Sequence, residues 1–387
     1  MPIRNRFAEL APTITEWRRD FHAHPELLYD CHRTAASIAE KLRSFGCDEV
    51  VEGIGRTGVV GVIRGSRQTS GRVIGLRADM DALPIDEATG LDYASTEAGK
   101  MHACGHDGHT AMLLGAAQYL AETRNFDGTV VVIFQPAEEG GAGGRAMCED
   151  GLMSRFGIEE VYGMHNWPGI PPGEFRIRPG AFFAATDQFE ITIEGLGGHA
   201  AKPHQCVDTT LVAAQIVLAL QSIVSRNADP VEQVVVSVTS FVTDSNAFNV
   251  IPQHATLRGT VRTMDEAMRK LAQDRLKALV THTATAYGAK ARVNYMPGYP
   301  VMVNTETETG HAEAAARAVA GACGPAPLVM GGEDFAFMLL ERPGAYILVG
   351  NGDTAGVHHP EYDFNDEAIP AGCSYWVELA EQRLPLG

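Results

Sequence analysis

Apolar positions along the chain follow two rhythms. Over residues 7–23, Phe7, Leu10, Ile14, Trp17 and Phe21 recur three or four apart, which predicts a helix with one buried stripe, and residues 34–45 repeat the pattern. Short apolar runs follow at 72–79, 129–135, 160–164 and 345–350, separated by helical stretches such as 110–123. Runs of this kind predict the buried strands of a mostly parallel sheet, an α/β architecture. The rhythm changes near residue 184. Residues 187–194 alternate like a half-exposed strand, and a helix (207–226), two strands (233–242, 256–262), a second helix (265–287) and a last strand (291–295) complete the series. Strand-helix-strand-strand-helix-strand is a self-contained α+β unit, an antiparallel sheet with helices on one face. The expected organisation is therefore a discontinuous α/β domain, residues 1–183 and 298–387, interrupted by an inserted domain, 184–297.

Length agrees with this picture, because 387 residues exceed what one simple core usually holds. The apolar content, 45%, excludes a disordered chain. A net charge of −17 argues against a surface for nucleic acid, though one local Arg could still hold a small anion. No run reaches the roughly 18 apolar residues of a membrane span, and no apolar signal core follows Met1-Pro2-Ile3-Arg4. Seven Cys without a CxxC pair do not form a disulfide framework. Together these features read as a cytoplasmic protein with no membrane partner.

Against this acidic background 14 His stand out. Asp79-Met-Asp81 follows the first run, Pro136-Ala-Glu138-Glu139 the second, His165-Asn-Trp167 the third, and His358-His359 lies about eight residues past the fourth. The segment His102-Ala-Cys104-Gly-His106-Asp-Gly-His109 precedes the helix expected from Thr110. Ligand groups in open α/β sheets gather beyond the carboxyl ends of the strands. Thiolate, imidazole and carboxylate delivered there form a transition-metal ligand set large enough for two ions. Glu138-Glu139 would divide the labour, one carboxylate on the metals and the other moving a proton. Cys104 beside His106 leaves a nucleophilic alternative open, whereas serine hydrolysis lacks its Gly-x-Ser-x-Gly elbow.

These motifs resemble a known family. Trp17-Arg-Arg-Asp-Phe-His-Ala-His-Pro-Glu26, Arg77-Ala-Asp-Met-Asp-Ala-Leu-Pro84, Met101 through His109, Phe134-Gln-Pro-Ala-Glu-Glu-Gly140, Gly163-Met-His-Asn-Trp-Pro168, Gly197-Gly-His-Ala-Ala201, Asn249-Val-Ile-Pro252, Gly259-Thr-Val-Arg-Thr263 and Gly331-Gly-Glu-Asp-Phe335 occur in one order over roughly residues 15–375. They are similar to the metal-dependent amidohydrolases and peptidases that include hippurate hydrolase, N-acyl-amino-acid amidohydrolases and the indole-acetyl-amino-acid hydrolases. The resemblance implies a di-metal catalytic domain with an inserted lid and dimerisation domain, and a homodimer or dimer-based tetramer. It implies two divalent ions, Mn or Zn, with Co or Ni also compatible. Their ligands would be Cys104, His106, Glu139, His165 and His358. Glu138 would be general base and acid, Asp81 would orient a ligand, and His199 would stabilise the oxyanion, with lid closure expected. Asn249 and Arg262 would hold the carboxylate of an N-acyl amino acid. Asp79 stands where the wider group has a metal-binding His, and is left out of the ligand set. Hydrolysis of N-acyl amino acids is the implied activity; a dipeptidase or carboxypeptidase of the same chemistry and an inactive metal-binding homologue are the alternatives.

Overall fold

The structure, a computed structural model, describes residues 5–387; Met1–Arg4, where the search for a signal core began, lie outside the described residues. The chain divides into two compact units. One runs up to Gly180 and returns as Val303–Pro327 and Asp334–Gly387; the other comprises Ala181–Met302 and Leu328–Glu333. The sequence assigned residues 328–333 to the outer domain. Phe183 bridges Val329, and the Ala184 N–H reaches both Val329 O and Gly331 O at 3.0 Å, so this stretch belongs with the inserted unit.

The first unit is built on an eight-stranded sheet in the order Glu49–Ile54, Gly58–Arg64, Thr129–Gln135, Val73–Asp79, Glu160–Pro168, Gly344–Gly352, Phe175–Ile177, Gly324–Pro325. The four apolar runs read from the sequence are its parallel centre. Gly58–Arg64 joins them antiparallel on one flank, with Glu49–Ile54 paired antiparallel to it at the edge, and Phe175–Ile177 joins antiparallel on the other flank. Alternate residues of the central strands (Ile74, Leu76, Ala78, Val130, Val132, Phe134) meet a core shared with the helices Asn5–Ala23, His106–Thr123, Glu306–Ala320 and Ile369–Arg383. Their neighbours Arg77, Asp79 and Gln135 therefore turn to the other face, where polar groups are buried.

Two boundaries differ from the sequence reading, and both concern the site. The strand expected to stop at Met164 runs on to Pro168, because its ladder with Gly344–Gly352 continues through His165 and Trp167. The helix expected from Thr110 begins at His106, so that histidine lies in its first turn.

The second unit is the four-stranded antiparallel sheet Val234–Thr243, His254–Thr263, Ala185–Glu194, Lys290–Pro297. Helices Thr209–Ser222 and Glu266–Ala286 cover one face, burying Val212, Ile216, Leu276 and Val280 against Phe189, Ile191 and Leu257. Both helices start on a capping aspartate. Asp208 accepts from the Thr210 and Leu211 amides, and Asp265 from that of Met268. Among the described residues one helical stretch, Thr209–Asn227, is long and apolar enough to cross a membrane by length and composition alone. Its Val212, Ala213, Ile216 and Leu220 are packed in the core of this unit.

A buried ion network ties the first helix to the 102–109 segment. Arg18, fully buried, forms two hydrogen bonds to Asp366 at 2.8 and 3.1 Å and lies 3.5 Å from Asp107. His22 lies between two carboxylates, Nδ1 at 2.9 Å from Asp107 and Nε2 at 3.3 Å from Glu87. Burial disfavours its charge, yet these two bonds outweigh burial and raise its pKa from 6.5 to about 9. A folded pKa above the unfolded one stabilises the fold below the unfolded value, and that contribution is lost as pH rises through the folded value. The gap in melting temperature between wild type and His22→Gln is therefore expected to be widest near pH 6 and to close by about pH 9.5. The stability involved is about 3 kcal/mol. A gap that is constant over this range would refute an imidazolium at His22.

Candidate metal centre

Local backbone geometry brings the donors together. Between Cys104 and His106, Gly105 has φ of 85°, and a Cβ there would come within 2.3 Å of Asn166 Nδ2 and 2.4 Å of the Tyr362 hydroxyl. Only glycine lets the chain turn this tightly into the helix. His358 (φ 67°) and Ala137 (φ 55°) also occupy the left-handed region, one a candidate ligand and the other just ahead of Glu138-Glu139. Strain of this kind persists only where surrounding structure enforces it. The His358 N–H is held by Ala103 O at 2.7 Å, joining the C-terminal ligand to the 102–109 segment.

Cys104, His106 and His165 bring donor atoms within 4.8 Å of one another, and so do Cys104, Glu139 and His358. The five residues expected as ligands therefore form two overlapping triads that share the thiol. His106, Glu138 and Glu139 are equally close. Two of the three candidate ligand histidines have Nδ1 held by a backbone carbonyl. His106 Nδ1–H donates to Asp81 O at 2.8 Å and His165 Nδ1–H to Asn166 O at 2.6 Å, so each turns Nε2 toward the cluster. His165 Nε2 lies 3.4 Å from Cys104 Sγ, and His106 Nε2 is buried with no hydrogen bond. Thiol, imidazole and carboxylate donors converging in a dry pocket form a ligand set for a cation. His358 is half exposed and faces Glu139 Oε1 from 3.3 Å.

Asp81 stands beside the triads without joining them. It is fully buried, accepts from the Glu138 and Glu139 amides at 3.0 and 3.1 Å, and its Oδ1 lies 3.4 Å from His106 Nδ1. Asp79 has both oxygens engaged, Oδ1 by His109 Nδ1 at 2.6 Å and Oδ2 by Arg77 Nη1 at 2.8 Å. Glu138 is buried, and its Oε1 accepts the Asp334 N–H at 3.3 Å.

The electrostatics are those of a site short of positive charge. Burial pushes the Cys104 thiol well above its usual pKa, and Glu139, Glu138 and Asp79 push it further. Burial would lower His106, but Asp79, Asp81 and Glu139 overcome it and raise its pKa to about 10. Burial holds His165 well down, with His109 adding to the effect. Carboxylates that retain protons on Cys104 and His106 would equally attract divalent ions, which displace those protons on binding.

Within the second unit, His199 and Asn249 are neighbours. Gly198–His199 pairs with Val250–Ile251, and Ala200 N donates to Asn249 O at 2.9 Å. His199 Nδ1 accepts the Ala201 N–H at 3.1 Å, which leaves Nε2–H as the outward donor. Arg262 lies on the sheet face that carries no helix, in a hollow of about 360 Å³ with Gln188, Glu190, Arg258 and Met296. Its guanidinium donates to Thr260 Oγ1 and Val261 O, and it forms no ion pair with any described residue. Sequence reasoning gave no role to Arg77, His109, Asn166 or Tyr362, which pack directly around the ligands. Their signal was proximity in sequence to Asp79, His106, His165 and His358.

Comparison with known proteins agrees with this geometry. The model of peptidase family M20/M25/M40 matches residues 75–382. Hippurate hydrolase of Campylobacter jejuni is 41% identical over 371 residues, 95% of each chain. N-acetylcysteine deacetylase of Bacillus subtilis is 39% identical over 372 residues, 95% of this chain and 96% of the relative. Among solved structures, a dinuclear metal-binding peptidase of the M20 family from Bacillus subtilis superposes with a TM-score of 0.85 at 35% identity, covering 97% of this chain and 99% of that one.

Proposed function

This chain belongs to peptidase family M20/M25/M40, and from that premise we propose that it hydrolyses the amide bond of N-acyl amino acids, releasing a carboxylic acid and a free amino acid. The observation that carries the reading is Glu138, a buried carboxylate held by the Asp334 amide beside two ligand triads that share Cys104. Two divalent ions held by Cys104, His106, Glu139, His165 and His358 would supply Lewis acidity toward the amide carbonyl and toward water. Mixed sulfur, nitrogen and oxygen donors support Mn or Zn.

In this reading Glu138 accepts the proton of the attacking water and returns it to the departing amine, while Asp81 holds His106 in the tautomer that presents Nε2. His199 supplies the Nε2–H donor for the oxyanion, worth roughly 3 kcal/mol when preorganised. Arg262 receives the substrate carboxylate, supported by its lack of an ion pair among the described residues, and Asn249 joins it as a polar contact. A homodimer is part of the proposal. Leu211, Leu218 and Val224 stand exposed on helix 209–227, and Phe241 and Val242 on the edge strand Val234–Thr243, an apolar display that a second copy could cover. Seven unpaired cysteines support a reducing, cytoplasmic setting.

The test is a substrate panel on metal-stripped protein. Hippurate and N-acetyl amino acids are expected to be cleaved only after Mn²⁺ or Zn²⁺ is restored, and faster than free dipeptides. Activity that survives chelation would point instead to Cys104 as a nucleophile, and preference for dipeptides to a peptidase.

A further inference from the structure

The Cys104-to-His109 segment carries a second histidine, which the proposed chemistry does not use. His109 is buried, one helical turn beyond His106 on the same face. Asp79, His106 and His109 also place donor atoms within 4.8 Å of one another, so His109 could be taken for a ligand. Its hydrogen bonds exclude that. Nε2 accepts the Asn166 backbone N–H at 2.8 Å, which puts the ring proton on Nδ1, and Nδ1 lies 2.6 Å from Asp79 Oδ1. No lone pair remains for an ion.

We infer that His109 is a positioning residue, the middle of a strut from Arg77 through Asp79 and His109 to Asn166 that sets the ligand orientation of His165. Arg77 fixes Asp79 at 2.8 Å, and Asp79 fixes the His109 ring. His109 then holds the Asn166 amide, and the Asn166 carbonyl accepts His165 Nδ1–H at 2.6 Å. Asn166 is gripped from its other sides as well, Nδ2 donating to Cys104 O and Oδ1 accepting from the Tyr362 hydroxyl, both at 2.7 Å. The His109 and His165 rings meet edge to face with centroids 4.6 Å apart, so the strut also packs against the ligand it orients. A ligand imidazole held through its second nitrogen keeps its tautomer and basicity, and losing such support typically weakens metal binding about 10–100-fold. Asp79 is thereby accounted for as the anchor of a neighbouring histidine.

The inference rests on the two-ion reading, and one set of titrations separates them. Ion-free wild type, His109→Leu, His109→Gln and Tyr362→Phe are titrated calorimetrically with Mn²⁺, and their ion-free melting temperatures are measured. Two ions are expected on wild type. His109→Leu is expected to bind one of the two about 10–100-fold more weakly. His109→Gln, which can still donate to Asp79 and accept from Asn166, should recover most of that loss. Tyr362→Phe removes one hydroxyl from the grip on Asn166 and should weaken the same ion by a smaller factor, a readout that stands even where His109→Leu fails to fold. Wild-type affinities in the folded variants, with only the melting temperature lowered, would reduce His109 to a packing role. Wild type that takes up no ion would overturn this inference and the two-ion reading together.

Discussion

Glu138→Gln is expected to keep both ions and lose turnover by about 10²–10⁴-fold, the range that general acid–base catalysis supplies. The substitution preserves volume and leaves an oxygen to accept the Asp334 N–H, so the turn carrying Glu139 stays in place. The Glu138 backbone N–H, which binds Asp81, is untouched. What disappears is the proton acceptor. Metal content by elemental analysis and kcat on an N-acetyl amino acid, measured on one sample, decide the matter. Two ions with crippled turnover assign Glu138 the proton, because a lost ligand would lower ion content as well. Loss of an ion would make Glu138 a ligand, and a rate within tenfold of wild type would remove it from the chemistry. Glu139→Gln is the contrast: it weakens the triad with Cys104 and His358, so ion affinity should fall before turnover of the loaded protein does.

Glu139, His165 and His358 could be read in the sequence because each follows, or nearly follows, an apolar run with the length and composition of a buried strand, and Cys104 and His106 because they stand just ahead of an apolar helix. Where the run stops and where the strand stops are different questions. His165 and Asn166 end the apolar pattern at Met164, but the ladder to Leu348 and Val349 carries the strand through them, since a buried strand may bear polar side chains that find partners. The hairpin of Glu49–Ile54 and Gly58–Arg64 was not anticipated. Its outer strand lies at the sheet edge with Glu49, Glu52 and Gly53 exposed, so no apolar run marks it. The spacing of His106 and His109 is visible in the chain. That one is a ligand and the other a strut depends on Asn166, 57 residues from His109, and on Asp79, 30 residues away. Partners so distant cannot be inferred from local pattern, and they are what divides ligand from support.

Arg77→Met is expected to destabilise the ion-free protein by about 3–5 kcal/mol, the range measured when one partner of a buried ion pair is removed. Arg77 is fully buried, and it donates to Asp79 at 2.8 Å, to Gln135 Oε1 at 2.8 Å and to Asp334 at 2.9 Å. Methionine fills the space without the charge and leaves two buried carboxylates facing each other's field. Asp334 retains Gln135 and the Gly144 amide, at 2.7 Å each, so Asp79 bears most of the loss. Burial opposes the Asp79 charge, and His106, Arg77 and the hydrogen bond from His109 are what hold its pKa well below the usual carboxylate value. Two divalent ions at the neighbouring triads would replace part of the missing positive charge. The drop in melting temperature, about 5 °C without ions at roughly 1–2 °C per kcal/mol for a chain of this length, should therefore shrink when Mn²⁺ or Zn²⁺ is added. Calorimetry on stripped and reloaded protein tests both parts. A fall of under 2 °C would mean that the carboxylates need no buried cation, and an equal fall with and without ions would separate the Arg77 network from the metal centre.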